Sequence, residues 1–412
     1  MQCMQPGAGN AESERVRERP YFPRRGAWGN GKKYTGKGRT VDRTKQFTPE
    51  GVRDIRGREC RRKLALEHEL METMYSFGFS PVETPTFEYF DVFAKETGSV
   101  RVQDLYKFFD HEGNTLVLRP DVTPQVARSA AGSGPEGTKP MRLCYKGNTF
   151  INYSSYLGRA REFTQVGAEE IGGKGIHADA EMIALSIECL LHIGLSRFQI
   201  SVGHALFLQA LAKAAGMDEE TEENLHLLLS NKNFFGVTEL TDSLPMEGAL
   251  KELFSKLGSF YANAGEMEEL LAPAEGYPEI KKALSELLEL DRILKLYGVN
   301  EYVTYEPGLH SSYRYYSGVL FAGYTYDVGE PVVKGGRYDR LLAHFGKEDG
   351  AVGFALTVDT LLNALVRQNR VWEPEEECEI ITCTKENLPE AIKRAKRLRR
   401  AGKRAELVEV EE

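Results

Sequence analysis

Three segments hold residue types that can do chemistry. They are Leu118-Arg119-Pro120-Asp121-Val122-Thr123-Pro124; the stretch Tyr145 to Glu169 around Gly158-Arg159-Ala160-Arg161-Glu162-Phe163-Thr164-Gln165; and Tyr315-Tyr316-Ser317-Gly318 through Gly335-Gly336-Arg337-Tyr338-Asp339 to Gly353-Phe354-Ala355. Together they bring carboxylates, hydroxyls, an amide, guanidinium groups and phenols. In a partly dry site such groups can hold a polar ligand. The same groups can instead satisfy one another as a polar core, and residue types alone leave both readings open. Metal chemistry is not expected. The eight histidines stand singly, with no HxxxH or HxH pair, and the six cysteines include no CxxC. No cofactor is called for.

The elements that must position these groups follow from periodicity. From Cys60 to Phe77 apolar residues recur at helical spacing and stop at Gly78. Short strands rich in β-branched and aromatic residues follow at Thr115–Leu118, Leu143–Phe150 and Phe163–Ile171. Asp179 is expected to cap a helix ending at Gly194, and Phe198–Val202 reads as a strand. Residues 205–295 are helical in pattern, like an inserted subdomain. Strands resume at Tyr302–Tyr305, Tyr315–Tyr326, Val332–Val333 and Val352–Val358, the last running into a helix. Most neighbouring strands lack a connection long enough for a parallel crossover, so the fold class is α+β: a mostly antiparallel sheet with helices on one face. The domain reading is a disordered basic extension at 1–47, a main domain at 48–370, and a truncated α/β segment at 371–412.

Charge narrows the partners. The net charge is −8, and residues 1–47, with 11 Lys/Arg against 4 Asp/Glu, carry +7, leaving −15 on the rest. An acidic body argues against phosphate-backbone recognition, so nucleic acid is an unfavoured partner. The aromatic and basic residues of 1–47 and the basic run Lys393 to Arg400 read first as solvated surface, with RNA binding as the rival. No apolar run of about 18 residues and no secretory signal is readable, which excludes a membrane span and leads to a cytoplasmic expectation.

In order, spacing and residue type, the three segments resemble the class II aminoacyl-tRNA synthetase catalytic domain, specifically histidyl-tRNA synthetase, over about residues 48–366. The resemblance implies an amino-acid pocket: Asp121 and Thr123 around the substrate ammonium with Gln165 beside them, Glu169, Tyr315 and Tyr316 around the imidazole, and Arg159 at a position the family uses. It also shows deficits. Ile151 stands where the second motif carries its phosphate-gripping Arg and Tyr153 where it carries Glu. Thr360 replaces the Arg of the third motif, and Ser311 that of the histidine-specific loop.

A synthetase-shaped body without its nucleotide cations, with part of the histidine pocket kept, resembles the regulatory-subunit family of ATP phosphoribosyltransferase. That family implies a noncatalytic subunit that works with a short-form catalytic subunit and with histidine as effector, and the likeness to class II domains implies a two-fold homodimer around Phe77 to Thr97. A competent histidyl-tRNA synthetase is the alternative. The roughly 40 residues after Trp372 are too few for a full anticodon-binding domain of about 100, in keeping with the regulatory family.

Overall fold

The computed structural model describes residues 48–93, 100–132, 140–153, 159–246, 248–311, 315–370 and 378–410. The basic extension 1–47 and the residues of the 371–377 linker lie outside them. Helix α1, Gly57–Ser76, buries Leu66, Leu70, Met71 and Met74 at the spacing that predicts it. Strand β1 is Ser80–Pro81. Strands β2, Phe87–Tyr89, β3, Lys107–Phe109, and β4, Thr115–Leu118, form a small antiparallel sheet with β4 in the middle. Helix α2, Thr123–Ala131, opens with Pro124, tolerated there because first-turn N–H groups lack intrahelical partners anyway.

Two long strands follow, β5, Met141–Phe150, and β6, Glu162–Ile171, paired antiparallel along their whole length. Helix α3 runs Gly175–His192. Asp179 does not cap it: the helix begins four residues earlier, and Asp179 is buried inside it, 2.7 Å from the Arg337 guanidinium. Arg337 also donates to the carbonyls of Gly173 (3.1 Å) and Gly175 (3.0 Å). The helix start is thus fixed by a residue more than 150 positions away, which local periodicity does not report.

Strand β7, Phe198–His204, leads into helices α4, Ala205–Ala214, α5, Glu219–Ser230, α6, Phe234–Asp242, α7, Gly248–Ser255, and α8, Pro278–Tyr297, before β8, Val303–Tyr305. Since β7 and β8 pair in parallel, the helical block is the crossover between them. Strands β9, Val319–Thr325, β10, Val333–Arg337, and β11, Ala351–Thr357, complete the sheet, and α9 is Val358–Arg367. The strand expected from Tyr315 begins at Val319, and Tyr315 and Tyr316 precede it.

The main sheet has the order β1-β5-β6-β11-β10-β9-β7-β8. Its five inner pairings are antiparallel and its two outermost are parallel. Helices α1, α3, α8 and α9 share one apolar core with Val166, Ala168, Phe354 and Leu356 on one face. Helix α2 does not join them. It lies on the opposite face with Tyr145, Tyr315, Tyr338 and Leu341, so helices on one face alone is corrected. Among the described residues, the remainder of that second face borders a cavity.

At the C-terminal end, β12, Cys378–Cys383, α10, Leu388–Arg400, and β13, Arg404–Glu409, form a parallel βαβ unit. Its core is Ile381, Cys383, Ala391, Ala395 and Ala405. On its basic helix, Arg394 pairs with Glu379 at 2.5 Å and Arg399 donates to the Ala405 carbonyl.

Candidate functional site

Alternation along a strand sends every second side chain to one face. On β6 this places Gln165, Gly167 and Glu169 on the open face, and the cross-strand partners continue the rows: Glu169, Gly353 and Gly336; Gly167, Ala355 and Lys334. The centre of these rows carries little or no side chain. Above this floor is a cavity of about 560 Å³. Asp121, Thr123, Arg159, Gln165, Glu169, Tyr315 and Tyr316, which the sequence reading singled out, all line it.

Glu169 is fully buried. Thr123 Oγ1 donates to its Oε1 at 2.6 Å, Tyr145 OH to the same oxygen at 3.3 Å, and Tyr338 OH to Oε2 at 2.5 Å. Burial pushes its carboxyl up to about 8, against the pull of the Thr123 and Tyr338 hydroxyls. For this residue the self-satisfied core accounts for both oxygens. Tyr145 and Tyr338 were not singled out as site residues; the signal available was their place in a quoted segment on the same sheet face.

Asp121 accepts from the Val122 amide at 2.8 Å and from Tyr315 OH at 3.3 Å. The Tyr315 ring meets those of Tyr316 and Tyr338 edge-on, at 5.0 and 5.8 Å. Gln165 differs from its neighbours. Its Oε1 is buried and accepts no hydrogen bond among the described residues, an arrangement that ordinarily costs about 1–3 kcal/mol. Other atoms of Gln165 line the cavity.

The other end of the cavity is lined by Ile151, Tyr153, Phe163, Glu330, Lys334, Asp359 and Thr360. Ile151 and Thr360 therefore stand on the wall, where the resemblance calls for arginines. Arg159 is exposed, its guanidinium 5.3 Å from the Tyr153 ring. Ser311 is placed elsewhere than the resemblance implies. It lines a neighbouring cavity with His226 and His310, and Tyr316 borders both spaces. Arg119 is buried and structural: it donates to the carbonyls of Asn148 (2.7 Å) and Thr84 (2.8 Å) across Gly147. Lys334, which pattern reading passed over, lies on the cavity wall. Among the described residues no cluster of His, Cys, Asp or Glu can hold a metal ion.

The Glu169 carboxyl gives a pH signature. Folding raises it from 4.5 to about 8, so the folded chain holds a proton that the unfolded chain has released over that interval. Its contribution to stability is full below the unfolded value and is lost as pH rises through the folded one. Glu169→Gln, which cannot ionise, is expected to flatten the fall in urea midpoint across this window. Parallel pH profiles for the two proteins would remove the assignment.

The histidyl-tRNA synthetase family model matches residues 51–361. The chain is 37% identical over 361 residues to an ATP phosphoribosyltransferase regulatory subunit of Acetivibrio thermocellus, covering 87% of this chain and 85% of that protein. It is 35% identical to the protein of the same name from Ruminiclostridium cellulolyticum, with 87% and 86% covered. Among solved structures, an ATP phosphoribosyltransferase regulatory subunit/histidyl-tRNA synthetase from Bacillus halodurans superposes with a TM-score of 0.80 at 33% identity, over 88% of this chain and 93% of that one. A Nostoc histidyl-tRNA synthetase, at 18% identity and TM-score 0.73 over 89% and 86% of the two chains, shares the fold. With the class II-type sheet, the amino-acid groups on its open face and these relatives, the chain belongs to the histidyl-tRNA synthetase-like family of ATP phosphoribosyltransferase regulatory subunits.

Proposed function

We propose that the chain is a noncatalytic regulatory subunit that works with a short-form catalytic ATP phosphoribosyltransferase, a glycosyltransferase condensing ATP with phosphoribosyl pyrophosphate in the first step of histidine biosynthesis. In this reading it is needed for the partner's turnover and conveys feedback by histidine. One observation supports it: the cavity lined by the residues expected around an amino acid is bordered elsewhere by Ile151 and Thr360, where the synthetase resemblance calls for arginines. An effector bound there regulates only through a difference in affinity between two states of the complex.

The reading places the complex in the cytoplasm, without membrane or nucleic-acid partners; among the described residues no helix is long and apolar enough to cross a membrane. It includes a homodimer. The outer side of the small sheet exposes Phe87 (52%), Tyr89 (55%) and Phe108 (36%), with Phe87 and Phe108 edge to face at 5.9 Å. Exposed aromatics of this kind mark association surfaces.

The test is reconstitution. Mixed with a short catalytic subunit, the chain is expected to raise phosphoribosyl-ATP formation well above either protein alone, and added histidine to lower it. Light scattering of the same samples should show this chain entering the complex as pairs. Rates that do not change on mixing would reject the reading.

A further inference from the structure

The cavity is bipolar. At one end Asp121 and Gln165 line the cavity and offer polar groups to an ammonium, but a zwitterionic amino acid also brings a carboxylate, and the loop serine expected near it, Ser311, lines a different cavity. We infer that Lys334, on β10 of the open sheet face, is the residue that holds the ligand's carboxylate. This rests on the ligand reading above.

Geometry comes first. Lys334 pairs with Ala355, which pairs with Gly167, so β10 lies two strands from the β6 strand that carries Gln165. At about 4.8 Å per strand that is about 10 Å of floor, with Ala355, Thr357 and glycines standing between. An amino acid lying across this floor has its ammonium over β6 and its acid group toward β10. The four-carbon lysine stem then supplies the reach that a short side chain on β10 would lack.

Charge agrees with the placement. Desolvation inside the cavity wall lowers the Lys334 pKa, while the carboxylates of Glu330 and Asp121 favour its ammonium form and Arg159 opposes it. Phe163, Pro331 and Ile151 border the same space, in which a ligand can reach the exposed Lys334. A lysine acts as a point charge, not as the two-pronged fork of an arginine, so it anchors the acid group with less orientation. That suits reversible binding of an effector better than alignment of a carboxylate for attack on a phosphate.

Calorimetric titration of the full chain with histidine and with histamine, which keeps ring and ammonium but lacks the carboxylate, tests the inference. Wild type should prefer histidine by at least about tenfold, the worth of a charge-assisted hydrogen bond. Lys334→Met should lose about that factor for histidine and none for histamine, and Lys334→Arg should retain the preference. Unchanged histidine affinity in Lys334→Met overturns the lysine assignment and leaves the pocket standing, as does an equal loss for both compounds. If wild type binds neither compound, the pocket reading falls and this inference with it.

Discussion

Incubated with histidine, ATP and magnesium, the chain is expected to exchange pyrophosphate at least about five orders of magnitude more slowly than a competent synthetase. Attack of an amino-acid carboxylate on the α-phosphate builds negative charge on the phosphoryl oxygens, and fixed guanidinium groups must already face that point. Ile151 and Thr360, which stand where the resemblance calls for arginines, line the cavity instead. Each missing cation costs about a thousandfold or more. Magnesium does not restore the loss, because a metal ion neutralises charge without orienting the α-phosphate from the protein side. The remaining cations are differently engaged: Arg159 lies over the Tyr153 ring, and Lys334 is subject to the carboxylates of Glu330 and Asp121. Asp359 adds a further carboxylate, which accepts from the Thr164 amide at 2.9 Å. Isotope exchange decides the matter, and turnover near one per second, ordinary for an enzyme, would reinstate the synthetase alternative.

Gly353→Ala is expected to destabilise the fold by about 3–5 kcal/mol, read as a shift in the urea midpoint. The backbone at Gly353 is ordinary, so the effect is steric. A Cβ built there falls 2.5 Å from the Glu169 carboxyl carbon and 2.7 Å from the Ala168 carbonyl oxygen. The backbone cannot yield without breaking the pairing of β11 with β6, so Glu169 must move. Moving it strands the hydroxyls of Thr123, Tyr145 and Tyr338 in a buried place. Glu169→Ala removes the obstacle but also strands those hydroxyls, so the double substitution should cost clearly less than the sum of the two single ones. Strict additivity, or a single-substitution cost under about 1 kcal/mol, would mean that Glu169 does not lie against β11.

Much of the fold is legible before any coordinates. Alternation on β5 and β6 and the helical stripe of α1 announce themselves, because burial of one face imposes a period of two or of 3.6 on the residues. Short connections announce the antiparallel core of the sheet, since a parallel pairing needs a long crossover, and the one long helical block does bridge a parallel pair. The site is legible in part. Asp121, Gln165, Glu169 and the two tyrosines can be found through motif spacing, whereas their division of labour cannot.

That division was decided in three dimensions. Glu169 is saturated by hydroxyls from three separate elements, and Gln165, four residues earlier on the same strand, keeps an oxygen without a partner among the described residues. Asp179 has the type and position of a helix cap, but Arg337 draws it into the interior. Ser311 belongs to one cavity and Lys334 to another, although pattern matching points to the serine. By itself the sequence determined which elements form and that cations are absent from the nucleotide motifs, because both are properties of residue type and local period. Tertiary structure decided which buried polar groups satisfy one another, because a hydrogen bond depends on the distance between atoms that chain order does not contain.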